Sequence, residues 1–137
     1  MDPVAPPFAS AEIASAFAAL PDTAQQGVLE LRRMIFEEAA RDPRIGPVEE
    51  CLKWGQLSYH TAETGAGTPI RLGTPKSGGF AIFTHCQTRV IPEFRALFEA
   101  EFRFDGNRAV LFDAGVPPNS EATRHLIRSA LTYRLRT

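Results

Sequence analysis

The chain has 137 residues, 44% of them hydrophobic and 23% charged, and a formal net charge of −1. That length gives one ordinary domain whose core needs neither disulfide nor metal, and the composition excludes disordered, collagen-like and coiled-coil classes. Near-neutral charge without a basic stripe argues against a nucleic-acid partner, and the longest near-apolar run, residues 13–20, is too short to span a membrane.

Residues 1–9 open with an acid and three prolines instead of a basic, then apolar, leader, so a loose arm is expected there and no secretory signal. Ser10 is placed to cap a short helix bearing Ile13, Ala16, Phe17 and Leu20, which Pro21 ends. Asp22 and Gln25 stand in a capping-box relation at the start of a second helix, with Val28, Leu31, Ile35 and Ala39 as its apolar stripe. On its other side Arg33–Glu37 and Glu37–Arg41 are spaced for ion pairs. Alternation then predicts a strand with Val48, Glu50, Leu52 and Trp54 on one face and Glu49, Cys51 and Lys53 on the other, interrupted over residues 55–58. Residues 70–74 and 80–86 around the Pro75–Gly79 turn read as a hairpin. Pro92 suits the first turn of a helix carrying Phe94, Leu97 and Phe98. A turn at Asp105-Gly106-Asn107 precedes a last strand over residues 108–112. Asn119 or Ser120 caps a closing helix with Leu126, Ile127, Ala130 and Leu131 inward and Arg124, Arg128 and Thr132 outward. The order predicts one α+β domain over residues 10–137, a single compact unit with a mainly antiparallel sheet and helices packed on it.

Charge is divided along the chain: residues 1–63 carry ten acids and five bases, residues 64–137 six acids and ten bases. Attraction between oppositely charged parts of one fold is the simplest consequence. Cys51 and Cys86 lack CxxC spacing and lie in apolar, strand-like sequence, which predicts two reduced, packed thiols in a cytoplasmic protein. His85 and Cys86 are adjacent on a strand and point apart, so neither they nor Cys51 and His60 make a metal signature. The serines sit at caps or turns with no GxSxG elbow, so no catalytic residue is assigned. Gly73 to Gly79 holds a Lys-Ser pair but neither phosphate-loop pattern, and a hairpin turn accounts for it. Arg71, Arg89, Arg95, Arg103 and Arg108 would line an anion site only if the fold put them on one face.

The segment Cys51-Leu52-Lys53-Trp54-Gly55-Gln56-Leu57-Ser58-Tyr59 resembles the I-K-W-G-x-P-x-Y hallmark of the YdhG-like bacterial domains of unknown function. The likeness continues through Gly79-Phe80-Ala81-Ile82-Phe83 and Gly106-Asn107-Arg108-Ala109-Val110-Leu111-Phe112, and covers about residues 22–135, with Leu57 at the usual proline and Ala109 at the usual threonine. It implies a compact α+β domain and carries no catalytic residues. One branch of that family is described as a frataxin-like iron chaperone.

Two functions follow as expectations. The first is a non-catalytic binding module without a cofactor, taking a small ligand in a pocket near Trp54 and Tyr59, where an indole wants a polar partner and Gly55 permits a sharp turn. The second, implied by the resemblance, is an iron chaperone using Glu37, Glu38, Asp42, Glu49 and Glu50; Arg32, Arg33, Arg41 and Arg44, interleaved with those acids, weigh against it. An enzyme comes third, and a homodimer stays open.

Overall fold

The structure, a computed structural model, describes residues 6–135. Ser10 caps α1 (Ala11–Ala18), its hydroxyl accepting the Ile13 N–H at 3.2 Å. Pro21, not Asp22, is the N-cap of α2 (Asp22–Ala40). A proline has no cap side chain to offer. The expected capping box is replaced by Gln25, whose amide reaches back to the carbonyls of Ala18 and Leu20 that end α1.

The next two strands form a tight hairpin, β1 (Glu49–Lys53) and β2 (Gln56–His60), with Lys53 paired to Gln56 across a two-residue turn. The interruption expected over residues 55–58 is thus confined to Trp54-Gly55. β3 (Ile70–Gly73) and β4 (Phe80–Phe83) make the anticipated second hairpin. Then come α3 (Val90–Phe98), β5 (Arg103–Asp105), β6 (Ala109–Phe112) and α4 (Glu121–Leu131), followed by a 3₁₀ turn, Tyr133–Leu135. The sheet order is β1-β2-β3-β4-β6-β5 and every pairing is antiparallel. Among the described residues this is a compact α+β domain of four α-helices on a six-stranded antiparallel sheet. No helix among them is long and apolar enough to cross a membrane.

Strand periodicity sorts the sheet into two unlike faces. One face carries Leu57, Tyr59, Ile70, Leu72, Phe80, Ile82, Val110 and Phe112, which join Val28, Leu31, Ile35, Phe94, Leu126 and Ile127 from the helices in a single core. Gly27 marks the closest approach of α2 to the sheet: a β-carbon there would sit 2.2 Å from the Phe80 ring. Register puts Cys51, Ser58, Arg71 and Phe83 in one row on the other face.

Charge division along the chain has the expected consequence. Arg124 and Arg128 of α4 do not point outward; they bind Glu37 and Glu38 of α2, at 2.9 Å for Arg124–Glu37 and 2.8 and 3.0 Å for Glu38. Arg33–Glu37 forms as spaced, whereas Arg41 turns to Glu38 because Glu37 is already taken by Arg124. A loose arm over residues 1–9 is corrected in part: Phe8 packs on Phe17 and lies under the Arg32 guanidinium, and the Ala9 N–H donates to Glu50. Residues 1–5 lie outside the described residues. The thiols are free, but only Cys51 is half-buried; β4 stops at Phe83, which leaves Cys86 exposed on a loop instead of packed in a strand.

Candidate functional site

The polar face of the sheet bears two adjoining depressions, of about 270 and 490 Å³, which share Lys53, His60, Pro69 and Arg134. No α-helical residue lines either. The larger lies in the size range of small-ligand sites. Its floor is Ser58 and His60 of β2 with Arg71 of β3; its walls are the β1–β2 hairpin tip with Lys53 and Trp54, the loops carrying Thr68 and His85, and the C-terminal turn with Arg134.

Those walls are held by backbone bonds. Thr61 Oγ1 accepts the Gly67 N–H at 2.9 Å, Thr68 N–H donates to the Ala130 carbonyl at 2.9 Å, and Arg134 N–H to Ala66 at 2.8 Å. Gly67 allows this contact, since a β-carbon would meet the Ala130 carbonyl oxygen at 2.5 Å. On the opposite wall His85 Nδ1 accepts the Gln87 N–H, and Arg89 N–H donates to the Tyr133 hydroxyl at 3.0 Å. A cleft tied down in this way is largely pre-formed, which lowers the ordering cost of binding.

On the floor, Ser58 Oγ lies 2.7 Å from His60 Nε2. Burial, reinforced by Lys53 and Arg71 against the pull of Glu49, holds the His60 imidazole below its ordinary titration range. It is therefore neutral at pH 7 and retains both donor and acceptor capacity. The spacing is that of a base and a nucleophile. Yet Ser58 is fully buried in a strand paired on both sides, so its hydroxyl has no approach for an acyl group and its neighbouring amides serve the sheet. The pair gives the floor its hydrogen-bonding capacity through His60, which is half-buried and oriented by Ser58. Burial pushes the Cys51 thiol up, which makes it a poor nucleophile.

Trp54 and Tyr59, expected together, are not. Tyr59 faces the core, fully buried, and its hydroxyl donates to Glu50 at 2.7 Å. Burial and that carboxylate push the phenol far above its usual range. The expectation of a ligand-facing Tyr59 is corrected. Register explains the difference, because a two-residue turn pairs Tyr59 with inward Glu50. Trp54 does line the cleft, but on its rim, 94% exposed and with φ 55°, beside Gly55 at φ 77°. Two successive positive φ values suit the right-handed twist of a hairpin, where Asn-Gly is the usual pair. A bulky residue there is strained by about 1–2 kcal/mol, and a fully solvated indole gains nothing from packing that would offset it. Trp54→Asn is accordingly expected to stabilise the fold by about 1 kcal/mol in urea denaturation. A loss of stability would show that the indole is packed after all.

The five carboxylates do not converge. Glu37 and Glu38 are buried between α2 and α4 with Arg33, Arg41, Arg124 and Arg128; Glu50 is buried on Arg32; Asp42 pairs with Arg44 on the surface. Glu49 alone borders the cleft. Among the described residues no three of His, Cys, Asp and Glu gather as metal ligands. Of the five arginines considered for an anion site, only Arg71 lines the larger cleft; Arg95, Arg103 and Arg108 bond near β5 and β6. Lys53, Ser58, His60 and Arg134 were missed as site residues. The polar–apolar alternation Leu57, Ser58, Tyr59, His60 carries the signal for two of them.

No family model, curated protein or solved structure matches the chain.

Proposed function

We propose that this domain is a small-molecule binding module, and that its site is the cleft lined by Lys53, Trp54, His60, Arg71 and Arg134 on the face of the sheet that carries no α-helix. One observation carries the reading: a cleft of about 490 Å³ has a half-buried hydrogen-bonding pair on its floor, cationic side chains around it and an exposed indole on a strained backbone at its rim. Unfavourable backbone geometry persists where the surroundings enforce it, and function is the common reason for keeping it. The YdhG-like resemblance is compatible with this use, since its Trp-Gly dipeptide is the hairpin tip. The iron reading has less support, because four of its five carboxylates are already neutralised by arginine.

Amide chemical-shift mapping with a mixed fragment library tests the site. Perturbations are expected to cluster at residues 53–60, 68–71, 85–88 and 133–134. Shifts confined to other surfaces, or none at millimolar fragment, would overturn the assignment.

A further inference from the structure

Eight of the twelve described arginines are ion-paired to carboxylates, and Arg95 bonds Asn107 and covers the Phe104 ring. Among the described residues the cations with no ion pair are Lys53, Arg71, Lys76, Arg89, Arg95 and Arg134. Three of these six, Lys53, Arg71 and Arg134, line one cleft. A fold that pairs eight of its arginines with carboxylates thus leaves half of its unpaired cations in one cleft, where mutual repulsion makes the cluster costly without an occupant.

Resting on the cleft reading above, we propose that the occupant is a small aromatic dianion, a phosphomonoester joined to a flat ring. The phosphate sits among Lys53, Arg71 and Arg134, and the ring lies on Trp54.

Charge supports the phosphate. Three cations against Glu49, the one acid bordering the adjoining depression, leave a local surplus of about two positive charges, which a dianion cancels. Two guanidinium groups offer paired N–H donors that match phosphate oxygens. Ser58 lies beneath, directly across from Arg71 in the sheet, and its partner His60 keeps a proton to share. No carboxylate lines the larger cleft to repel the anion. The rim supports the ring: a single exposed indole at the edge of a polar site is a stacking surface for a flat π-system, and it is held out by a turn that would be more stable with asparagine.

Isothermal titration of the full chain with phenyl phosphate, inorganic phosphate and phenol tests this. Phenyl phosphate is expected to bind about tenfold or more tightly than inorganic phosphate, with phenol undetected. Arg71→Gln and Lys53→Gln should each weaken phenyl phosphate by about tenfold, and Trp54→Asn should reduce it to the level of inorganic phosphate. Lys53 is exposed, so its variant folds even if the half-buried Arg71 change does not. Equal affinity for the two phosphates overturns the ring; binding indifferent to Lys53→Gln overturns the phosphate seat; no binding at millimolar ligand overturns both. If uncharged fragments still shift residues 53–60 and 133–134 while phenyl phosphate does not bind, the cleft stands and the dianion falls. If neither does, both readings fall.

Discussion

Glu50→Ala is expected to cost the fold about 3–5 kcal/mol, a large part of the 5–15 kcal/mol that ordinarily stabilises a domain. The carboxylate is buried on the core side of β1 and is held by four donors. Arg32 Nε and Nη2 approach it at 2.6 and 3.0 Å, the Tyr59 hydroxyl at 2.7 Å, and the Ala9 N–H at 3.1 Å. Removing it leaves a guanidinium that is 4% exposed without a counter-charge, a phenol without an acceptor and an N-terminal segment without its tether. The Phe8 and Phe36 rings against Arg32 cover the guanidinium but accept no hydrogen bond comparable to a carboxylate's. Urea denaturation should show the loss as a lower midpoint with an unchanged slope. Arg32→Met together with Glu50→Leu should recover most of it, since apolar groups need no partners. A single-variant cost below about 1 kcal/mol would mean that water reaches the guanidinium in the folded state.

This buried pair also explains why part of the site was hidden in the sequence. Helix ends were legible wherever a local signal decided them: Ser10 and Ser120 cap α1 and α4 through side-chain acceptors that composition announces. The β3–β4 hairpin was legible for the same reason, its turn being rich in proline and glycine. At Trp54-Gly55 a turn was legible from the glycine but its two-residue length was not, because a positive φ at tryptophan has no propensity to announce it. Missing a two-residue turn moves the whole of β2 out of register, and register decides faces. Tyr59 then looks like a neighbour of Trp54, when pairing with Glu50 sends it to the core. Cation placement was equally non-local. Arg124 and Arg71 look alike in sequence; one is absorbed by Glu37 and Glu38, 86 or 87 residues away, and the other is left in the cleft.

The Glu38 network is expected to make the domain lose stability in acid. Burial alone would raise this carboxyl, but the hydrogen bonds from Arg124 and Arg128, with Arg41 nearby, outweigh it and hold the group below its ordinary value of 4.5. Glu50 is lowered in the same manner by Arg32, Tyr59 and Ala9. A carboxyl whose folded-state value is depressed binds its proton more readily in the unfolded chain. Its stabilisation is therefore complete above the unfolded value and is lost as pH falls below about 4.5 and through the folded value. Urea midpoints should accordingly hold between about pH 5 and 8 and fall steeply below that. Glu38→Gln keeps the shape while removing the charge, and should cost about 2–3 kcal/mol at pH 7. Its arginine partners differ in exposure: Arg128 is 42% exposed and can turn to water, whereas Arg124 is 11% exposed and keeps Glu37 as its one carboxylate, with Asn119 beside it. The variant should also show a shallower acid limb, because one of the two buried carboxyls with a depressed value is gone. An acid limb as steep as that of the unaltered chain would place the acid sensitivity outside Glu38, and an equal stability at pH 7 would show that the α2–α4 ion pairs contribute nothing net to the fold.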